Sequence, residues 1–158
     1  MKSLILSDEI MIQKFENITS MIGIGDRAAI ALIHLFNSYP DANRQEITAL
    51  SGLDAIENTS GTSVQRRTRI SKKGSAIYRS MLFMPVLSAI QHNPYMKLFY
   101  DRLKANTKHS TSAQIAVMRK MILIAHSLYK NNNKFDNKVY ERGLGWKEKD
   151  VQTLDKAA

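Results

Sequence analysis

Apolar residues recur at helical spacing through most of this 158-residue chain, and the pattern predicts an all-α domain of about six helices. Met11, Phe15, Ile18 and Ile22 mark a first amphipathic helix over roughly residues 8–20. Ser7 reads as its N-cap, with Asp8 and Glu9 in the first turn, where carboxylates suit the helix dipole. A second helix, rich in Ala and Ile, covers residues 26–37. Ser38-Tyr39-Pro40-Asp41 is a turn, and Asp41 can cap a short helix that runs to Leu50 and stops with Gly52 at C′. Over residues 74–92, Ile77, Met81, Leu82, Met84, Leu87 and Ile90 predict a long helix with a kink at Pro85. Asn93 then caps a helix with Pro94 at its first position. Its Met96, Leu98, Phe99, Tyr100 and Leu103 have the spacing of core residues rather than of a ligand box. Thr111-Ser112-Ala113-Gln114 fits a capping box that opens a last long helix over residues 115–129. The helical domain is drawn over residues 1–136, with a polar tail carrying Trp146 over residues 137–158.

Two interruptions in this pattern carry the chemistry. Residues 53–73 form a long central basic loop, and loops of that length are usually functional or contain short strands. It holds Ser60-Gly61, then Arg66, Arg67, Arg69, Lys72 and Lys73, before Gly74 opens the next helix, where Arg79 lies in the second turn. Cations beside a hydroxyl on a glycine-hinged loop suit holding a phosphodiester next to a nucleophile; they also suit a solvated loop whose Ser60 only caps a turn. The second interruption, Ile22-Gly23-Ile24-Gly25, joins the first two helices and resembles the hairpin of a helix-hairpin-helix DNA-binding unit. There, Gly23, Ile24 and Gly25 would let backbone N–H groups at the second helix approach a phosphate. Tight packing of a helical hairpin is the other use of such glycines.

Charge sharpens the first reading. The net charge is +9, and no acidic residue stands between Glu57 and Asp101, the window that contains the loop cations. A positive field without local carboxylates is what phosphate binding needs. Hydrophobic content of 44% supports a real core. Without cysteine there is neither a disulfide framework nor a thiolate zinc site. No apolar run reaches membrane-spanning length, and the start is too short in apolar residues for a signal peptide, so a soluble, intracellular protein is expected, and a cytoplasmic one if its polyanionic partner is DNA.

Three blocks, taken in order, resemble the C-terminal part of the IS-one-ten type insertion-sequence transposases, a serine-dependent family related to pilin-gene invertases. They are Ile22-Gly23-Ile24-Gly25 with its Ala-rich helix, Gly52-Leu53 with Ser60-Gly61, and Ile70-Ser71-Lys72-Lys73-Gly74 with Arg79. His92-Asn93-Pro94 and Phe99-Tyr100 continue the likeness, which covers about residues 15–136. The chain has Met21-Ile22 and Ala55 where the family has proline, and Ser75 where asparagine is common. The resemblance implies that Ser60 is the nucleophile that forms a covalent link to DNA phosphorus. It further implies a separate RuvC-like domain binding Mg2+, a structured guide RNA, and homo-oligomers of the full-length transposase. No cofactor is assigned to this chain, and no metal ligands: it has no carboxylate cluster, and Asp8 and Glu9 read as helix-start residues. A serine hydroxyl needs a base or metal to activate it, and His34, His92, His109 and His126 are all remote from Ser60 in sequence. The chain alone is therefore expected to be incompetent for transposition, with Arg66, Arg67, Arg69, Lys72, Lys73 and Arg79 positioning phosphate and stabilising its developing charge. Two other readings use the same residues: a non-catalytic helix-hairpin-helix nucleic-acid-binding module with inert Ser60, and a helical oligomerisation domain whose charge only aids solubility.

Overall fold

The computed structural model describes residues 8–60, 64–106 and 109–136, with the backbone alone for 57–60 and 64–68. Six helices and one hairpin are described: α1 (Glu9–Thr19), α2 (Asp26–Ser38), α3 (Arg44–Leu50), β1 (Ala55–Ser60), β2 (Val64–Ile70), α4 (Ala76–His92), α5 (Pro94–Asn106) and α6 (Ser110–Asn131). The all-α class holds, but the predicted central loop is largely an antiparallel β-hairpin. Its strands lack the period-two apolar pattern that betrays a half-buried strand, so their pairing is not visible in the sequence.

Helix α6 is the axis of the bundle and packs against each of the other five helices. Its buried side chains, Val117, Met118, Met121, Ile122, Ile124, Ala125, Leu128 and Tyr129 among them, surround most of its circumference. Phe36 of α2 closes on its C-terminal half, with ring centroids 5.3 Å from Tyr129 and 5.1 Å from His126. Helix α4 is apolar on nearly every side, which one buried face cannot satisfy. Tyr78, Leu82, Val86 and Ala89 are buried, whereas Ile77, Met81, Phe83 and Met84 are exposed. Pro85 lies inside α4 without ending it.

The helix ends correct several expected caps. Asp8 rather than Ser7 (which lies outside the described residues) caps α1, its Oδ1 accepting from the Ile10 N–H at 3.0 Å. Asn43, not Asp41, caps α3 through a full capping box with Glu46, in which the side chain reaches the Gln45 and Glu46 N–H groups at 2.9 Å. Thr111 makes no such box: α6 starts earlier, at Ser110, behind His109, which makes no side-chain cap bond. Asn93 does cap α5 as expected, its Oδ1 accepting from the Tyr95 N–H at 3.0 Å. No described helix is long and apolar enough to cross a membrane. The C-terminal tail, residues 137–158, lies outside the described residues.

His126 is a core residue, 4% exposed, and its Nε2 has no hydrogen-bond partner. Burial first, then the nearby cations Lys130 and Arg44, hold its pKa below the ordinary imidazole range. The unfolded chain binds a proton at this residue near pH ~6.5 while the folded chain still excludes it. This residue therefore makes stability rise with pH across the window below about 6.5, down to the lowered folded pKa. Urea midpoints should fall between about pH 7.5 and pH 5.5, and His126→Leu should remove part of that fall. An unchanged slope in the variant would show that other groups cause it.

Candidate functional site

The hairpin stands on a neck in which the two glycines that bound it meet. Helix α3 ends in a Schellman motif: the Gly52 N–H bonds to the Ala49 carbonyl at 2.8 Å and the Leu53 N–H to that of Thr48 at 2.9 Å. Gly52 takes a φ of +65°, the left-handed conformation that this ending requires. The returning limb crosses directly over it. A side chain on Gly74 would collide with the Leu50 carbonyl and come within 2.5 Å of the Gly52 nitrogen. The residue types are thus forced by the closeness of two backbones.

Hydrogen bonds stitch the limbs from this crossing outward. Ser75 N–H bonds to the Leu50 carbonyl and Lys72 N–H to that of Gly52, both at 3.2 Å, and Ser71 N–H to that of Asp54 at 2.8 Å. The Ser71 hydroxyl donates a short bond to the Asp54 carboxylate. Beyond them the ladder pairs Ala55 with Ile70, Ile56 with Arg69, Asn58 with Arg66, Thr59 with Gln65 and Ser60 with Val64, with an irregularity between Ile56 and Asn58.

Two arginines tie this neck to the helices. Arg79 of α4 donates through Nη1 to the carbonyls of Ser51 at 2.9 Å and Gly74 at 3.0 Å, one on each limb. Arg119 of α6 donates through Nε at 2.9 Å and through Nη2 to the single carbonyl of Leu53, whose side chain is fully buried. Sequence reasoning assigned Arg79 to phosphate and missed Arg119 altogether. A basic residue in an apolar helical pattern gives no sign of a carbonyl 66 positions away.

The other predicted site residues fall into two groups. Ser60 ends β1, at the far end of the hairpin from the neck, with Arg66, Arg67 and Arg69 on the returning strand. At a strand rise of about 3.4 Å per residue, Ser60 lies on the order of 17 Å along the strand from Ala55. Arg69, Lys72 and Lys73 are exposed, and Lys72 turns the chain out of β2 with a φ of +55°. Lys73 lines an open 770 Å³ crevice with Tyr39, Asp41 and Glu46. Gly23, Ile24 and Gly25 form the connection between α1 and α2. Gly23 has a φ of +101°, and a Cβ there would sit 2.7 Å from the Ala89 side chain and 2.8 Å from the Pro85 carbonyl, so this glycine is a packing contact with α4. Ile24 is buried, 5% exposed. Gly25 alone of the three is open: it precedes α2 without a side-chain cap, and a Cβ would meet nothing within 4 Å. Among the described residues no three His, Asp or Glu side chains gather into a metal site.

The sequence model of the family described as Transposase IS116/IS110/IS902 matches residues 15–101, which is more than half of the chain and includes the neck and hairpin. The chain belongs to this transposase family. It is 28% identical over 124 residues to a pilin gene-inverting protein of Moraxella bovis, a match covering 75% of the chain and 38% of that relative. A pilin gene-inverting protein of Moraxella lacunata is 29% identical over 98 residues, covering 61% of the chain and 30% of the relative. An insertion element IS110 protein of Streptomyces coelicolor, of uncharacterised function, is 23% identical over 125 residues, covering 77% and 30%. This IS110-type chain thus spans about a third of the length of the curated relatives it matches.

The glycines separate by expected cost. Gly74→Ala forces two backbones apart and should destabilise the protein by about 3 kcal/mol or more. Gly23→Ala combines a positive φ with an overpacked contact and should cost on the order of 2–4 kcal/mol. Gly25→Ala should change stability by less than about 1 kcal/mol, since only a weak capping preference is lost. Chemical denaturation of the three variants checks the order.

Proposed function

We propose that this chain is the DNA-binding, nucleophile-bearing portion of a transposase or site-specific recombinase, with Ser60 as the nucleophile. The observation that carries the reading is the hairpin. It holds Ser60 at the outer end of a two-stranded arm whose returning strand and neck carry Arg66, Arg67, Arg69, Lys72 and Lys73; the facing limb contributes only the carboxylates of Glu57 and of Asp54, the latter bonded to Ser71. Duplex DNA lying along the arm would meet these cations with its phosphates, while Ser60 reaches one phosphorus. The Ser60 Oγ–P bond then forms as one P–O ester bond of the phosphodiester breaks, and the departing sugar oxygen leaves with a proton. The cations stabilise the charge that develops on the non-bridging oxygens. Arg79 serves the neck in this scheme, since its Nη1 is engaged by backbone carbonyls.

The described residues of this chain do not fit a Mg2+ site. The metal, and the base that takes the serine proton, are assigned to a RuvC-like domain outside this chain. A guide RNA and a homo-oligomeric full-length transposase in the cytoplasm complete the proposal. The space beside Gly25 leaves room for a second phosphate contact at the start of α2, in the manner of a helix-hairpin-helix unit, with the Asp26 carboxylate in that first turn as its competitor. That contact would also serve a module in which Ser60 is inert, so the decisive experiment concerns the serine.

With the metal-binding domain, its RNA and a labelled duplex supplied, the chain should form a denaturation-resistant protein–DNA adduct that Ser60→Ala abolishes. DNA affinity should survive that substitution and fall linearly with log salt, with a slope of about −0.9 per phosphate contacted. Binding without any adduct in the wild type would leave a non-catalytic DNA-binding module.

A further inference from the structure

We propose that Arg119 is a positioning residue that sets the direction in which the Ser60 arm leaves the helical body. The inference rests on the assignment of Ser60 above. Leu53 is the last buried residue before β1, and its carbonyl lies between two that close the neck, those of Gly52 and Asp54. Lys72 and Ser71 donate to those neighbours, whereas the Leu53 carbonyl turns toward α6 and accepts two N–H groups from one guanidinium. Two donors in a planar fork fix both the position and the plane of the acceptor, which one donor cannot do. The donor itself is anchored, because α6 touches every other helix.

Arg79 and Arg119 therefore have different tasks. Arg79 bridges the two limbs at the crossing, and its loss would open the neck. Arg119 holds one limb only, just where the strand begins. Its loss leaves the Gly52–Gly74 crossing and the ladder in place, and frees the arm to tilt about the neck. A small tilt is multiplied along the arm, so position 60 at its end moves most. The half-buried guanidinium is already engaged with protein, so it adds little to phosphate binding.

The chain has no native cysteine, which allows clean spin-labelling of a pair at position 58 on the arm and position 112 on α6. In Arg119→Met the distance distribution between the labels should broaden, with Arg119→Lys intermediate. With the metal-binding domain, RNA and duplex supplied, the rate of adduct formation at saturating DNA should fall about 10- to 100-fold in Arg119→Met. DNA affinity should stay within about twofold, and the salt slope should change by less than one phosphate contact. Loss of affinity in proportion to the rate would make Arg119 a phosphate contact and overturn the proposal. So would an unbroadened distribution in either variant; Arg119→Lys, which keeps the charge, carries this test should the Met variant fail to fold. If the wild type yields no adduct, the Ser60 assignment falls, while the distance measurement still decides whether Arg119 orients the arm.

Discussion

Two backbones cross at van der Waals contact where Gly52 meets Gly74, and the rest of the candidate site depends on that crossing. A helix ending and a helix beginning, more than twenty residues apart in sequence, are brought close enough that no side chain fits between them. The segment between them then has little choice but to leave as a paired arm. Backbone groups at such a crossing must find partners, since buried unpaired N–H and C=O groups are costly. They find them in each other and in two guanidiniums, because arginine can satisfy carbonyls from a distance with several donors in fixed geometry. The arginines thus stand where water would otherwise have to enter.

The bundle supplies the rigid frame that this arrangement needs. Helix α6 is central, and its polar side chains reach outward to backbone that no helix ladder satisfies. Arg119 takes the Leu53 carbonyl near one end of α3, and Lys130 takes that of Ala42 at 3.0 Å near the other. Helix α3, only seven residues long, is too short to be stable alone. It is held by its capping box, by burial of Ile47, and by these two bonds to α6 at its flanks. The neck inherits its precision from α6 through this short helix.

Much of this was legible in the sequence, and the part that was not has a consistent cause. The helices α2, α4 and α5 follow from apolar spacing and from Asn93-Pro94, which are local signals. The significance of residues 52–74 was also legible, because glycines, a serine and clustered cations are unusual together. The β-arm was not, since its pairing is set by the crossing below it rather than by an apolar face. Asn43 was overlooked in favour of Asp41 although Glu46 stands three residues on, a miss of a readable signal. Gly23 and Gly25 look alike in sequence, yet one is wedged against α4 and the other is open. Arg79 was grouped with the phosphate cations and Arg119 passed over, because a cation that binds carbonyls and one that binds phosphate are the same letter until the fold brings their partners.

That last ambiguity separates the basic residues by depth. Those nearest the body, Arg79 and Arg119, are partly buried and engaged with carbonyls, and removing either would leave backbone acceptors unsatisfied. Those from Arg69 through Lys73 are exposed, and their charge is free to act on a polyanion. A positive surface of this kind is stable only because it is solvated, and its mutual repulsion is relieved when phosphates replace the counterions. Helix α6 shows the same tension: Lys120, with its pKa lowered by burial and then by Arg44 and Arg102, is a cation held among cations. The protein tolerates such repulsion in a domain whose core is built by α6. Burial along α6 outweighs that repulsion, so the fold does not depend on neutralising its exposed cations.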